Sequence, residues 1–203
     1  MDKGMLIIVS GPSGVGKGTV CNALFAQDAR LTFSVSVTTR AARPGERDGV
    51  SYFFKTAEEF KEMVEQDMFL EHSCNFGMNN YGTPREYVEK MRDSGLDVVL
   101  DIDVKGAAQV KSKCPDSVSI FIAPPSMTAL EGRLRGRGSE DETAVQRRLK
   151  EAVNEMRRIE EYEYVVVNDV LQTAVGDMHS IINAERLKTA RNHETIEQIQ
   201  GGK

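Results

Sequence analysis

The residues best suited to chemistry form a glycine-rich segment near the N-terminus that ends in a lysine and a threonine. In order they are Gly11, Pro12, Ser13, Gly14, Val15, Gly16, Lys17, Gly18 and Thr19. The segment fits the pattern G-x-x-x-x-G-K, in which glycines allow backbone N–H groups to converge on phosphate oxygens. The lysine reaches the β- and γ-phosphates, and the N-terminus of a following helix favours the anion. The spacing therefore predicts a phosphate-binding loop (P-loop) for ATP.

The position after the lysine departs from the commonest form of this pattern. Gly18 stands where a serine or threonine is expected to contact Mg²⁺. Nucleoside monophosphate kinases often have G-K-G-T here, so the departure favours that group, with Thr19 binding phosphate instead. The apolar run that ends at Asp101 and Asp103 is the natural source of a carboxylate near the metal. We expect Mg²⁺ as the cofactor, held mainly by nucleotide oxygens and water, with Asp101 contributing through water.

The elements that must position these residues are strands that alternate with helices. Apolar runs with strand character occur at Met5–Ser10, Asp97–Asp103, Ser117–Ala123 and Tyr164–Asn168. Helix-compatible segments follow the first two runs, at Lys17–Gln27 and Val104–Lys113. This alternation predicts an α/β fold with a parallel-sheet core and helices on both faces.

Helix starts and one core-facing helix can also be predicted. Capping-box patterns occur at Thr56 with Glu59, Thr83 with Glu86 and Ser139 with Glu142, and Pro84 suits a first helical position. One helical face is predicted to be core, and it carries Val145, Leu149, Val153 and Met156.

The pattern changes between about Phe33 and Asn80. Short β-like runs at Phe33–Val37 and Val50–Phe54 flank a loop rich in glycine, proline and arginine, and a helix follows around Phe60–Val64. This arrangement predicts an insertion into the α/β core rather than an independent domain.

Composition excludes several classes of protein. The chain has 203 residues with a net charge of −5, which argues against general nucleic-acid binding. No apolar run has the length of a membrane span, and the N-terminus lacks a signal-peptide layout. Three separated cysteines and three scattered histidines favour a reducing compartment over disulfides or a metal cage. We therefore expect a cytoplasmic protein that binds neither membrane nor nucleic acid; the oligomeric state stays open.

The segment from Phe33 to Phe54 identifies a family. It contains Ser36-Val37-Thr38-Thr39-Arg40-Ala41-Ala42-Arg43-Pro44-Gly45-Glu46 and closely resembles the guanylate kinase signature. The resemblance continues through Leu100–Val104, Phe121–Ser126, the arginines up to Arg148 and Val167–Asp169. It implies the P-loop nucleoside monophosphate kinase fold, with a core at 1–32, 84–134 and 151–203. The insertion at 33–83 would bind GMP, and 135–150 would form an arginine-rich lid.

The resemblance also implies how GMP is bound. Its phosphate would be held by Arg40, Arg43, Tyr52 and Tyr81, and its guanine would be surrounded by Ser36, Glu71, Thr83 and Asp103. Arginine forks match phosphate oxygens in paired hydrogen bonds. Guanine presents N1–H and its 2-amino group as donors, which one carboxylate accepts together. Adenine presents a bare acceptor at N1, so Glu71 would reject AMP.

Phosphoryl transfer needs alignment and positive charge more than covalent chemistry. By the same resemblance, Arg137 and Arg148 would stabilise the transferring phosphate beside Lys17, and Arg43 would reach toward the acceptor. Asn168 and Asp169 would lie near the adenine of ATP.

The implied reaction is MgATP plus GMP giving ADP and GDP, with ATP and GMP as the partners and dGMP as a further acceptor. Three alternatives remain: a non-catalytic guanylate-kinase-like interaction module, a kinase for AMP or another acceptor, and a GTPase. The intact P-loop and arginines argue against the first. The lack of an N-K-x-D motif argues against the last.

Overall fold

The computed structural model describes residues 3–75, 79–136 and 142–201. The strands, in chain order, are β1 (Leu6–Ser10), β2 (Leu31–Phe33), β3 (Val37–Thr38), β4 (Phe53–Phe54), β5 (Phe69–Asn75), β6 (Asn79–Pro84), β7 (Asp97–Asp101), β8 (Val118–Ala123) and β9 (Tyr164–Val167). The helices are α1 (Lys17–Phe25), α2 (Ala57–Glu65), α3 (Arg85–Asp93), α4 (Val104–Lys113), α5 (Met127–Arg135), α6 (Glu142–Met156), α7 (Leu171–Arg186) and α8 (His193–Ile199).

The core is a five-stranded sheet in the order β2-β7-β1-β8-β9, and every neighbouring pair is parallel. The predicted parallel-sheet core is confirmed. β1 lies in the middle and is buried along its whole length, which explains its unbroken apolar sequence. Ile7 and Val9 pack into a cluster with α1 and α7 on one face, while Leu6 and Ile8 pack with α3 and α4 on the other.

A second, four-stranded sheet lies within the predicted insertion, in the order β4-β3-β6-β5. β3 is parallel to β4 and antiparallel to β6, and β5 and β6 form an antiparallel pair. The predicted single run Phe33–Val37 was wrong: Phe33 ends a core strand and Val37 begins a strand of the small sheet. Ser34 N–H still donates to the carbonyl of Val99, so the chain leaves the core sheet only after this residue. The division of the chain into core, insertion and lid stays a prediction.

The helix-start signals differ in outcome. The Thr56–Glu59 capping box is confirmed, with Thr56 Oγ1 accepting from the Glu59 amide and the Glu59 carboxylate accepting from the Thr56 amide. Thr83 was wrong as a cap, since α3 begins at Arg85 after an extended Pro84, and the Thr83 hydroxyl donates elsewhere. Ser139 lies outside the described residues.

The predicted core face of α6 is correct except at one position. Val145 is buried and Leu149 packs against the core, but Val153 is 42% exposed. Ala152 is buried in its place, because successive helical residues are separated by about 100° and the core-facing stripe passes through 152 rather than 153. In the parts of the chain that the structure covers, no helix combines the length and apolarity needed to cross a membrane.

A buried ion cluster ties the last long helix to the core sheet. Arg186 on α7 donates through Nη1 to Asp28 Oδ2 at 2.6 Å and through Nε to Asp97 Oδ2 at 2.7 Å. The side chains of Arg186, Asp28 and Asp97 are 12%, 13% and 7% exposed. Removing the cation would leave two poorly solvated carboxylates without their partner.

We predict that Arg186→Met lowers the free energy of unfolding by about 3 kcal/mol, the usual cost of breaking a buried ion pair from one side. Urea denaturation at neutral pH measures the change. Lys61→Met is the matched control, because the Lys61–Glu65 pair is 78% and 64% exposed and its loss should cost little. A loss below about 1 kcal/mol for Arg186→Met would contradict the expectation.

Candidate active site

The P-loop connects β1 to α1 and has the backbone that its glycines were predicted to allow. Gly11, Gly14 and Gly16 have positive φ angles of 146°, 86° and 99°. A Cβ at Gly11 would lie 2.1 Å from the carbonyl oxygen of Ile122, and one at Gly16 would lie 2.6 Å from Asn168 Nδ2. Neither position has room for a side chain, so the loop can curl only with glycine there.

Lys17 begins α1 and stands at the carboxyl edge of the core sheet. Its Nζ donates to the Gly11 carbonyl at 2.7 Å and lies 4.0 Å from Asp101 Oδ1 at the end of β7. The Asp101 side chain is one-third exposed (33%), yet its partial removal from water raises the pKa of its carboxyl, against the effect of the Lys17 charge. The structure thus brings together the P-loop lysine and the carboxylate predicted to serve Mg²⁺.

The donor groups here suit Mg²⁺. No cluster of three or more histidine, cysteine or acidic side chains within 3–75, 79–136 and 142–201 could cage a metal. Mg²⁺ keeps several waters and usually takes one or two carboxylates together with substrate phosphates. Asp101 beside Lys17 supplies such a carboxylate, so these residues fit a cation carried in by a nucleotide.

A cavity of about 330 Å³ opens beside the P-loop. It is lined by Gly14, Val15, Gly16, Thr19, Arg133, Asn168, Asp169 and Leu171. Asn168 is 7% exposed, and its Nδ2 donates to the Val15 carbonyl at 2.8 Å, so its amide group supports the loop. Asp169 is exposed along the cavity wall.

Two residues of this cavity were not predicted as site residues. Arg133 on α5 donates from Nη1 to the Val15 carbonyl at 3.2 Å, on the same loop residue that Asn168 holds. The sequence feature that could have indicated Arg133 as a site residue is its place in the arginine cluster near the predicted lid. Leu171 begins α7 and had no signal in the sequence, because an apolar residue at a helix start is ordinarily packing.

Glu155, near the end of α6, also faces the P-loop. Its Oε2 is buried without a hydrogen-bond partner among the residues described. Burial raises the pKa of its carboxyl, while the Lys17 charge and a hydrogen bond from the Ser13 backbone oppose that rise. Sequence reasoning missed it because it is one acid among many on a charged helix.

Arg40, Tyr52 and Tyr81 meet at one end of the small sheet, as an anion clamp requires. The Arg40 guanidinium carbon lies 5.4 Å from the centroid of the Tyr52 ring, and the rings of Tyr52 and Tyr81 are 6.1 Å apart. The pairing of Thr38 with Tyr81 across β3 and β6 brings the tyrosine beside the loop that carries Arg40.

Glu46 orders this loop, and it too was missed. Its carboxylate accepts from both terminal nitrogens of Arg40, at 2.8 and 3.0 Å, and from the Arg43 backbone amide at 2.8 Å. The hydrogen bonds from the Arg40 side chain, which have the largest effect, and from the Arg43 amide hold the pKa of the Glu46 carboxyl below its usual range. The Arg43 side chain is exposed. The sequence feature that could have indicated Glu46 is its position six residues after Arg40 within a loop rich in glycine and proline.

The predicted base pocket contains a buried carboxylate. Glu71 on β5 faces Thr83 on β6, and Thr83 Oγ1 donates to Glu71 Oε1 at 2.6 Å. The two residues are 5% and 0% exposed. Asp103 caps α4 by accepting from the amides of Lys105 and Gly106, both at 2.8 Å. The pKa of Glu71 is raised to about 7: burial is the largest cause, the hydrogen bonds from Thr83 oppose it, and the charge of Asp103 adds to it.

The remaining predicted site residues are Ser36, Arg148 and Arg137; Arg135 and Arg147 belong to the same arginine cluster but were not predicted as site residues. Ser36 is half-buried just before β3, where its carbonyl accepts from the Phe53 amide at 2.9 Å. Arg148 is half-buried on α6, whereas Arg147 is exposed. Arg135 ends α5 and pairs with Glu131 and Glu142. Arg137 lies outside the described residues.

Burying Glu71 should make stability depend on pH. Its pKa rises from 4.5 in the unfolded chain to about 7 in the folded one, so between these values the folded state binds more protons. Stability contributed by Glu71 is therefore lost as the pH rises through this window, by about 3 kcal/mol in all. Glu71→Gln keeps the acceptor for Thr83 and removes the charge, so we predict that the variant gains stability over wild type between pH 5 and pH 8.

Urea unfolding of both proteins at pH 5, 6, 7 and 8 tests this. Glu65→Gln, at a carboxylate that is 64% exposed, is the control and should follow the wild-type profile. Parallel profiles for wild type and Glu71→Gln would show that the buried carboxylate carries no such cost.

The chain is similar over nearly its whole length to known guanylate kinases. A family model described as guanylate kinase matches residues 3–185. The chain is 50% identical over 198 residues to a guanylate kinase of Oceanobacillus iheyensis, an alignment that covers 98% of this chain and 96% of the relative. It is 52% identical over 190 residues to one of Symbiobacterium thermophilum, with 94% and 90% covered.

A solved structure agrees with these sequences. The crystal structure of guanylate kinase from Anaplasma phagocytophilum matches with a TM-score of 0.76 and 35% identity, covering 100% of this chain and 97% of that one. Because the family model and the relatives extend over nearly the whole chain rather than over the P-loop alone, this chain belongs to the guanylate kinase family.

Proposed function

We infer that this protein transfers the γ-phosphoryl group of ATP to GMP, giving ADP and GDP. The observation that carries the inference is the end of β7, where two aspartates serve two sites. Asp101 lies 4.0 Å from Lys17 of the P-loop, and the charge of Asp103 acts on the buried Glu71. A phosphate-binding loop and a base-reading carboxylate therefore adjoin the same strand end.

The donor side holds ATP by its phosphates. The amides of the P-loop and the Lys17 ammonium would bind the β- and γ-phosphates. Val15 is held through its carbonyl by both Asn168 and Arg133, and these bonds would keep the loop in place for the phosphates. The cavity beside it, bordered by Asp169 and Leu171, would take the adenosine part.

The acceptor side would bind GMP at both its phosphate and its base. Arg40, Arg43, Tyr52 and Tyr81 would bind its phosphate, with Arg40 already oriented by Glu46. The ionised Glu71 carboxylate would accept from N1–H and the 2-amino group of guanine. AMP would face it with an acceptor and leave buried polar groups unpaired, at about 1–3 kcal/mol each. Acceptance of dGMP belongs to the same proposal.

The transfer itself is in line and forms no covalent enzyme intermediate. Lys17, Arg43, Arg137 and Arg148 would stabilise the charge on the transferring group. Mg²⁺, bound with ATP and near Asp101, would neutralise phosphate charge. A cytoplasmic location, with small nucleotides rather than nucleic acid or membrane as partners, is part of the proposal. It rests on the three separated cysteines of the sequence, a pattern typical of a reducing compartment.

The non-catalytic interaction module gains no support. The relatives that span nearly the whole chain carry the name guanylate kinase, and the P-loop has the geometry that its glycines require.

The base-recognition proposal is tested by ADP formation from MgATP with GMP, AMP, CMP or UMP offered separately. We expect turnover with GMP, and a loss of at least about tenfold in kcat/KM for GMP in Glu71→Gln, whose amide nitrogen would face the guanine donors. Glu65→Gln should match wild type. Equal turnover with AMP would support a kinase activity but would contradict the recognition of guanine by Glu71.

The donor proposal is tested by Lys17→Met. We expect kcat to fall by about 10²–10³-fold, because one preorganised cation is removed from the developing charge. Binding of GMP, measured by calorimetry, should be unchanged, and Lys61→Met should retain full turnover. A kcat within a few-fold of wild type would place the phosphate contact elsewhere.

A further inference from the structure

The guanine-reading carboxylate is confined from one side by a residue without a side chain. Gly106 lies in the first turn of α4 and is buried. A Cβ built on it would lie 2.8 Å from Glu71 Oε2, 3.3 Å from Cδ and 3.4 Å from Cγ. These three nearest atoms all belong to Glu71, so the space that an alanine methyl would need is taken by that one side chain.

The helix cannot easily retreat from this contact. Gln109, one turn further along α4, accepts from the His72 amide at 3.2 Å and donates to the His72 carbonyl at 3.1 Å. His72 is the neighbour of Glu71 on β5, so α4 is fastened to the strand beside the carboxylate. The start of the helix is held as well, because Asp103 accepts from the Gly106 amide at 2.8 Å.

The carboxylate is also held from its other side. Its Oε1 accepts from Thr83 at 2.6 Å, while Oε2 lies against Gly106. A methyl group at 106 would have to displace the glutamate, which is a long side chain and can rotate away from Thr83. Such a shift would weaken the hydrogen bond from Thr83 and would move the group that would read the base.

We propose that Gly106 is a positioning residue for the acceptor base: its missing side chain sets the place at which Glu71 presents its carboxylate to guanine. The proposal deepens the proposed function and rests on it. It assigns Gly106 a role in geometry and none in contacting the reacting atoms.

The test is Gly106→Ala, with Gly176→Ala as the matched control. Gly176 lies within α7, and a Cβ there would meet nothing within 4 Å. For Gly106→Ala we expect KM for GMP and the calorimetric Kd for GMP to rise by roughly tenfold to a hundredfold, with KM for ATP within twofold of wild type. The melting temperature should stay close to that of wild type, since the helix preference of alanine over glycine offsets the weakened hydrogen bond between Thr83 and Glu71. Gly176→Ala should change neither substrate's KM.

A double substitution separates positioning from damage to the fold. Glu71→Asp retracts the carboxylate by one methylene and makes room for the methyl group. In Glu71→Asp/Gly106→Ala the loss in kcat/KM for GMP should therefore be smaller than the product of the two single losses. If Gly106→Ala fails to fold, folding should return in Glu71→Ala/Gly106→Ala, because Glu71 is the group it displaces.

The possible results distinguish a failure of the proposed function from a failure of the role proposed for Gly106. Wild-type protein that neither binds nor phosphorylates GMP overturns the proposed function and this inference together. Wild-type activity with Gly106→Ala indistinguishable from Gly176→Ala overturns the inference alone. Equal losses for ATP and GMP, or misfolding that persists without Glu71, would also overturn it.

Discussion

Parallel pairing of β1 with β7 on one side and β8 on the other is the constraint on which the site depends. In a parallel sheet the carboxyl ends of neighbouring strands emerge at one edge. The P-loop leaves β1 at that edge, Asp101 ends β7 there with Asp103 two residues further on, and Asn168 follows β9 there. These segments are far apart in sequence, and their proximity follows from strand direction alone.

Loops without regular structure are held in place by hydrogen bonds from side chains of the protein itself. The Val15 carbonyl is fixed by Asn168 and Arg133, and the arginine loop is fixed by Glu46, which binds the Arg40 guanidinium with both oxygens. Preformed loops lose less conformational entropy when a ligand binds. The supporting residues are as much a part of the site as the groups that would bind phosphate.

In the pocket proposed for the base, by contrast, the central carboxylate is destabilising when it is ionised. The Glu71 carboxylate is 5% exposed and accepts a hydrogen bond from the Thr83 hydroxyl. Its pKa is raised to about 7, chiefly by burial and in smaller part by the negative charge of Asp103. Such a group is tolerated where donors on a ligand complete its hydrogen bonds. The stability of the core, with β1 buried along its length and the Arg186 cluster fastening α7, is what allows this cost at the site.

The sequence by itself determined several features that depend on neighbouring residues. The P-loop, the parallel alternation of strands and helices and the Thr56 cap could all be predicted, because glycine freedom, side-chain periodicity and capping act over a few residues. Family resemblance added the Arg40, Tyr52 and Tyr81 cluster. What only the tertiary structure decided are contacts across space: Thr83 bonds to Glu71 rather than capping a helix, Arg133 holds Val15, and Gly106 abuts Glu71. No local pattern records these contacts, because each depends on how two distant segments pack against each other.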